Sequence, residues 1–99
     1  MRFTLSIRRE AEVDLERALG FYDEREAGLG NRFHDDVSQI LRLIQRHPLM
    51  YPPADLAEYR KARLKRFPYH IYYRTIGTKI FIVAVHPAKS GTEWHEGRI

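Results

Sequence analysis

A chain of 99 residues with 43% hydrophobic side chains suits one small two-layer core and is too apolar for a disordered segment, so a single domain spanning 1–99 is expected. It has no cysteine, which excludes disulfides and thiolate metal sites, and its longest apolar run, Ile80 to Val85, is too short to span a bilayer. Lys and Arg number 17 against 13 Asp and Glu, a net charge of +4, and from Arg60 to Ile99 the only acidic side chains are Glu93 and Glu96; the second half is a positive region suited to polyanions or an acidic partner.

The opening Met1-Arg2-Phe3-Thr4-Leu5 has no apolar stretch of the secretory kind, so a soluble cytoplasmic protein is expected. Arg2 to Arg8 alternates strictly, with Phe3, Leu5 and Ile7 on one face, which predicts a half-buried strand. From about Glu10 to Glu26 the period becomes helical. Ala11, Leu15, Ala18 and Tyr22 make one stripe, with Leu19 beside it. Ala27-Gly28-Leu29-Gly30 breaks this helix. A second helix is expected from about Asn31 to Arg46, with Phe33, Val37, Ile40, Leu41 and Ile44 as its stripe and Pro48 as its stop. Two helices with so short a joint read as a hairpin.

Leu49 to Ala57, with Pro52-Pro53, reads as an irregular connector. Three strands are expected after it: Tyr59–Arg66, Tyr69–Ile76 and Lys79–His86, the last apolar on both faces and therefore central. Gly77-Thr78 is a turn, Pro87 to Gly91 a loop, and the tail carries Trp94 and Arg98. One strand, two helices and three strands define an α+β domain: an N-terminal strand, an αα-hairpin, then a three-stranded antiparallel meander in a single, mostly antiparallel sheet, with the helices on one face. The other sheet face is expected to be open.

Side chains alternate along a strand, so the open face should gather Lys61, Arg63 and Lys65 with His70, Tyr72 and Arg74. Cations interleaved with Tyr and His are the composition of a surface that grips phosphates and stacks on bases. An exposed face can also be charged simply to stay solvated. The lack of acid among these positions favours an anionic partner, because like charges on neighbouring strands repel.

Other chemistries find less support. The five histidines form no HExxH pattern, and no metal site is expected. Asp35-Asp36 and Glu24/Glu26 read as solvated helix faces or helix pairs. Gly28-Leu29-Gly30 lacks the strand and the Lys-Ser/Thr of a phosphate loop. Trp94 reads as a core or rim plug. No cofactor is implied.

Taken together, the residues resemble the RelE/ParE toxin superfamily. The first helix, Ala11-x-x-Asp14-Leu15 through Tyr22, is similar to that family's opening, and Gly28-Leu29-Gly30-x-x-Phe33 with Val37, Leu41, Ile44 and Pro48 to its second helix. The most specific stretch is Tyr59-Arg60-x-x-x-Leu64-x-x-Phe67-Pro68-Tyr69-x-Ile71-x-Tyr73, followed by Ile80-Phe81-Ile82-Val83-Ala84-Val85-His86 and the terminal Trp94 before Arg98. It points to the ParE-like, plasmid-stabilisation branch.

The resemblance implies the toxin of a type II toxin–antitoxin pair. Its partner would be a cognate antitoxin that wraps the toxin, and the assembly a toxin homodimer or a toxin–antitoxin hetero-oligomer. Lys61, Arg63, Lys65, His70, Tyr72, Arg74, Trp94 and Arg98 would meet the target. ParE-type members inhibit DNA gyrase; RelE-type members enter the ribosome and cut mRNA. For the second activity Lys61 and Arg63 fall at cationic strand positions, His70 falls where RelE has an arginine, Ala88 replaces a second arginine with Lys89 beside it, and Trp94 stands at the tail tyrosine. The indole only donates a hydrogen bond, so the catalytic set Lys61, Arg63, His70 and Lys89 is incomplete. The resemblance therefore favours a gyrase inhibitor without chemistry of its own; the alternatives are a metal-independent endoribonuclease and an inactive antitoxin-binding module.

Overall fold

The computed structural model describes residues 2–89 and 93–95. Strand β1 (Thr4–Ile7) leads into helices α1 (Arg9–Arg25) and α2 (Leu29–Arg46), and strands β2 (Arg60–Arg63), β3 (Tyr69–Ile76) and β4 (Lys79–Pro87) follow. A 3-10 turn, Glu93–His95, comes last among them. The α+β class, the helical hairpin and the meander are as expected. Two strands are shorter than their alternation suggested: Arg2–Arg8 contracts to Thr4–Ile7, and Tyr59–Arg66 to Arg60–Arg63.

The sheet order is β1-β4-β3-β2. β2, β3 and β4 pair antiparallel, whereas β1 pairs with β4 in parallel, Leu5 opposite Ile80 and Ile7 opposite Ile82. The sheet is thus mixed: after β1 the helical hairpin and the meander supply the long crossover a parallel pair needs. β4 is flanked on both sides, which matches its double apolar character.

Gly28 makes the hairpin joint, with φ of 86° in the left-handed region that favours glycine. Both helices bury one stripe against the sheet. Ala11 and Ala18 of α1 and Phe33, Val37, Ile40 and Ile44 of α2 meet Ala62, Leu64, Ile71, Tyr73, Ile80, Ile82 and Val85. Each large side chain in this core contributes about 1.5–3 kcal/mol by leaving water. An aromatic cluster closes one end: Phe33 meets the Phe67 ring edge-on at 5.2 Å, and Tyr22 meets it at 4.8 Å.

Two carboxylates on the buried stripes do structural work. Asp36, expected on a solvated face, is only 4% exposed. It accepts the backbone N–H groups of Lys65 (3.2 Å) and Arg66 (2.7 Å), which turns the chain off β2 and ends the strand at Arg63. Asp14 is also buried, accepts the Val85 N–H at 2.9 Å and lies 3.6 Å from His86 Nε2, fastening α1 to β4.

The sheet face away from the helices is not fully open as expected. Tyr59, Tyr72, Ala84 and Trp94 form a second, smaller core there, with Ala54, Leu56 and Val83 packed against it. A β-bulge makes it possible: Tyr72 faces Ala84 while Tyr73 faces Ile82, so the extra residue, Val83, joins Ala84 on the far face. No described helix is long and apolar enough to cross a membrane.

Candidate target-binding face

The β2–β3 register places Lys61 opposite Tyr72 and Arg63 opposite His70. Between them Ala62 pairs with Ile71, both fully buried toward the helices, so alternation puts Lys61, Arg63, His70 and Tyr72 together on the far face. Arg74 shares that face further along β3, opposite Phe81.

These neighbours differ in exposure. Arg63 is exposed, and Lys61 and His70 are half-buried. Tyr72 points to the predicted face but is shut from solvent, because the Trp94 ring lies on it with centroids 4.3 Å apart and planes 9° apart. Trp94 is fully buried, and its indole N–H donates to Asp55 Oδ1 at 2.7 Å. His95 Nε2 lies 3.2 Å from the other Asp55 oxygen. The connector before β2 and the turn after β4 are thus tied together over Tyr72. Lys65 lies in the turn that Asp36 holds, not on the strand face. Lys89 is exposed just past the end of β4. Arg98 lies outside the described residues.

Electrostatics mark His70. Burial first, and then the charges of Lys61 and Arg63, hold its imidazole below the ordinary value of 6.5, so the neutral form predominates at pH 7. The Tyr72 hydroxyl stands 3.5 Å from its Nδ1. Burial raises the Tyr72 phenol above its usual value, and Asp55 adds to the rise. Burial also works to raise the Asp55 carboxyl, but hydrogen bonds from Trp94 and its own backbone, together with His95, outweigh it and hold the group below 3.8. The arrangement is a cationic strip with one neutral imidazole, bordered by a sealed aromatic plug. Among the described residues no three His, Asp or Glu gather as metal ligands.

Sequence reasoning missed the structural roles of Asp14, Asp36 and Asp55. For the first two a signal existed: Asp14 falls three residues after Ala11 and four before Ala18, and Asp36 three after Phe33 and four before Ile40, inside stripes that otherwise face the core. For Asp55, in an irregular connector, there was none.

A helical hairpin laid on a mixed four-stranded sheet is the fold of the RelE/ParE toxins. Residues 5–90 match the family described as the ParE toxin of the type II toxin–antitoxin system parDE, and the chain belongs to that family. Its fold is similar to that of the chromosomal ParDE system from P. aeruginosa: TM-score 0.78, 18% identity, covering 87% of this chain and 96% of that one. It is also similar to the toxin–antitoxin complex RelBE2 of Mycobacterium tuberculosis, with TM-score 0.64, 22% identity and coverage of 88% and 99%. A mutant of the E. coli toxin RelE in the free state gives TM-score 0.61 at 16% identity, covering 99% of this chain and 95% of that one. No curated protein sequence matches significantly.

Proposed function

We propose that this toxin is a cytoplasmic inhibitor of DNA gyrase that acts by binding, and that a cognate antitoxin neutralises it by wrapping the domain. The observation that carries this reading is the state of Trp94. Where a nuclease of the superfamily would present a tail tyrosine, this chain has an indole that is fully buried and already donates to Asp55. An indole N–H neither accepts nor supplies a proton at neutral pH, so the strip retains cations to hold a partner without an acid–base pair. Membership of the ParE family supports the same reading.

The test is a supercoiling assay with purified protein, gyrase, plasmid DNA and ATP. Lost supercoiling and trapped cleaved DNA, both relieved by the antitoxin, are expected. A protein that arrests growth yet leaves gyrase untouched would overturn the reading.

One observation favours a ribosome-dependent endoribonuclease instead. His70 is a neutral imidazole beside Lys61 and Arg63, which suits a base for a 2′-hydroxyl next to cations for the phosphate. RNA cleavage that disappears in His70→Ala and persists in wild type would establish this second reading.

A further inference from the structure

The far face of the sheet has a second half that Trp94 does not cover. Near the β3–β4 turn a pocket is lined by the apolar side chains of Ile76, Phe81 and Val83, with Tyr59 and Arg74 at one side. Arg8 and Glu10, from the junction of β1 and α1, complete the lining. Ile76 is 54% exposed, so an incoming side chain can reach it.

Arg74 is poised without a full set of partners. Its guanidinium carbon lies 5.3 Å from the Tyr59 ring centroid, a cation–π contact. Its Nε is buried and has no hydrogen-bond partner among the described residues. A buried donor without an acceptor is a standing cost that an incoming acceptor removes. The planar guanidinium takes a carboxylate through two parallel N–H groups, Nε and a terminal nitrogen, once the side chain turns toward it.

We propose that this pocket anchors the toxin to its protein target, taking an apolar side chain against Ile76, Phe81 and Val83 and a neighbouring carboxylate on Arg74. A carboxylate fits the pair Arg74 and Arg8, which outweighs the single Glu10. A nucleic acid fits less well: the Tyr59 ring is shut from solvent, Ile76 and Val83 offer phosphates nothing, and Glu10 repels them. An aromatic or aliphatic anchor beside an arginine, from which a bound partner excludes water, is the usual make-up of a strong protein-binding spot. The inference rests on the reading of this chain as a toxin that acts by binding a protein.

The test uses the full chain with Ile76→Asp and Arg74→Lys, and Leu49→Asp as control, since Leu49 is 67% exposed and outside the pocket. Circular dichroism and thermal melting establish that each variant folds. Affinity for purified gyrase and growth arrest on expression are the two readouts. Ile76→Asp is expected to weaken binding about tenfold or more, and Arg74→Lys less, since it keeps the charge and loses the fork. Leu49→Asp should match wild type.

Wild-type binding that survives both pocket substitutions overturns the pocket and leaves the gyrase reading intact. If wild type arrests growth without binding gyrase, the gyrase reading fails and the arrest decides the pocket. Loss of arrest in both folded variants upholds it, and full arrest overturns it. An effect confined to binding of a single-stranded RNA probe also overturns it.

Discussion

The Asp55 carboxylate receives the Trp94 indole N–H at 2.7 Å, joining the connector before β2 to the turn after β4 across 39 residues of sequence. This bond, with the ring stack on Tyr72, holds the second core together. Trp94→Ala empties the centre of that core and is expected to cost about 3–5 kcal/mol, the range for large aromatic deletions. Trp94→Phe keeps a ring on Tyr72 and loses the hydrogen bond, for about 1–2 kcal/mol. Urea unfolding of the two variants checks the order; equal losses would mean that the stack contributes little.

Acid should loosen the same contact. The Asp55 carboxyl is held below its ordinary 3.8, so its contribution to stability is complete above that value and is lost as pH falls through the lower folded value. Because the chain has one tryptophan, its fluorescence reports Trp94 directly. A red shift is expected as pH drops below about 4, and Asp55→Asn, which retains an acceptor and cannot titrate, should flatten that response.

His70 offers a second titration with the same sign. Its folded value lies below 6.5, so its contribution is complete above 6.5 and lost as pH falls below it. An NMR titration should find the midpoint below 6.5. Lys61→Ala with Arg63→Ala should move the midpoint up without restoring the ordinary value, because burial is the larger cause. The double variant should change stability by no more than about 0.5 kcal/mol per site and, on the proposed function, weaken growth arrest. A midpoint that does not move would show that the two cations are not felt at the imidazole.

Asp36 holds the turn that ends β2. Asp36→Ala leaves the Lys65 and Arg66 amides without their acceptor and is expected to destabilise by about 2–3 kcal/mol. Asp36→Asn keeps one acceptor oxygen and should cost less. Hydrogen exchange at those two amides provides the check: it should quicken most in Asp36→Ala, and unchanged protection would show that another group takes over.

The hairpin, the order of the strands along the chain and the central place of β4 are legible in the sequence, because apolar periodicity and glycine or proline breaks are local properties. So is the face that Lys61, Arg63, His70 and Arg74 occupy, since alternation along two paired strands sets it. The strand ends are not legible in the same way. Nothing within Tyr59–Arg66 announces that β2 stops at Arg63; the stop comes from Asp36, about 30 residues earlier in the chain.

Periodicity and charge alone determined that this protein is a helical hairpin on a sheet with a basic far side, because burial demands one apolar stripe per element and local spacing displays it. Only the tertiary structure decided how much of that far side a partner can reach. The Val83 bulge, the Asp55 tether and the stacking of Trp94 on Tyr72 bring together distant parts of the chain, and no spacing within one segment records such contacts. They turn an expected open face into a sealed aromatic half, a cationic strip and the exposed pocket beside Arg74.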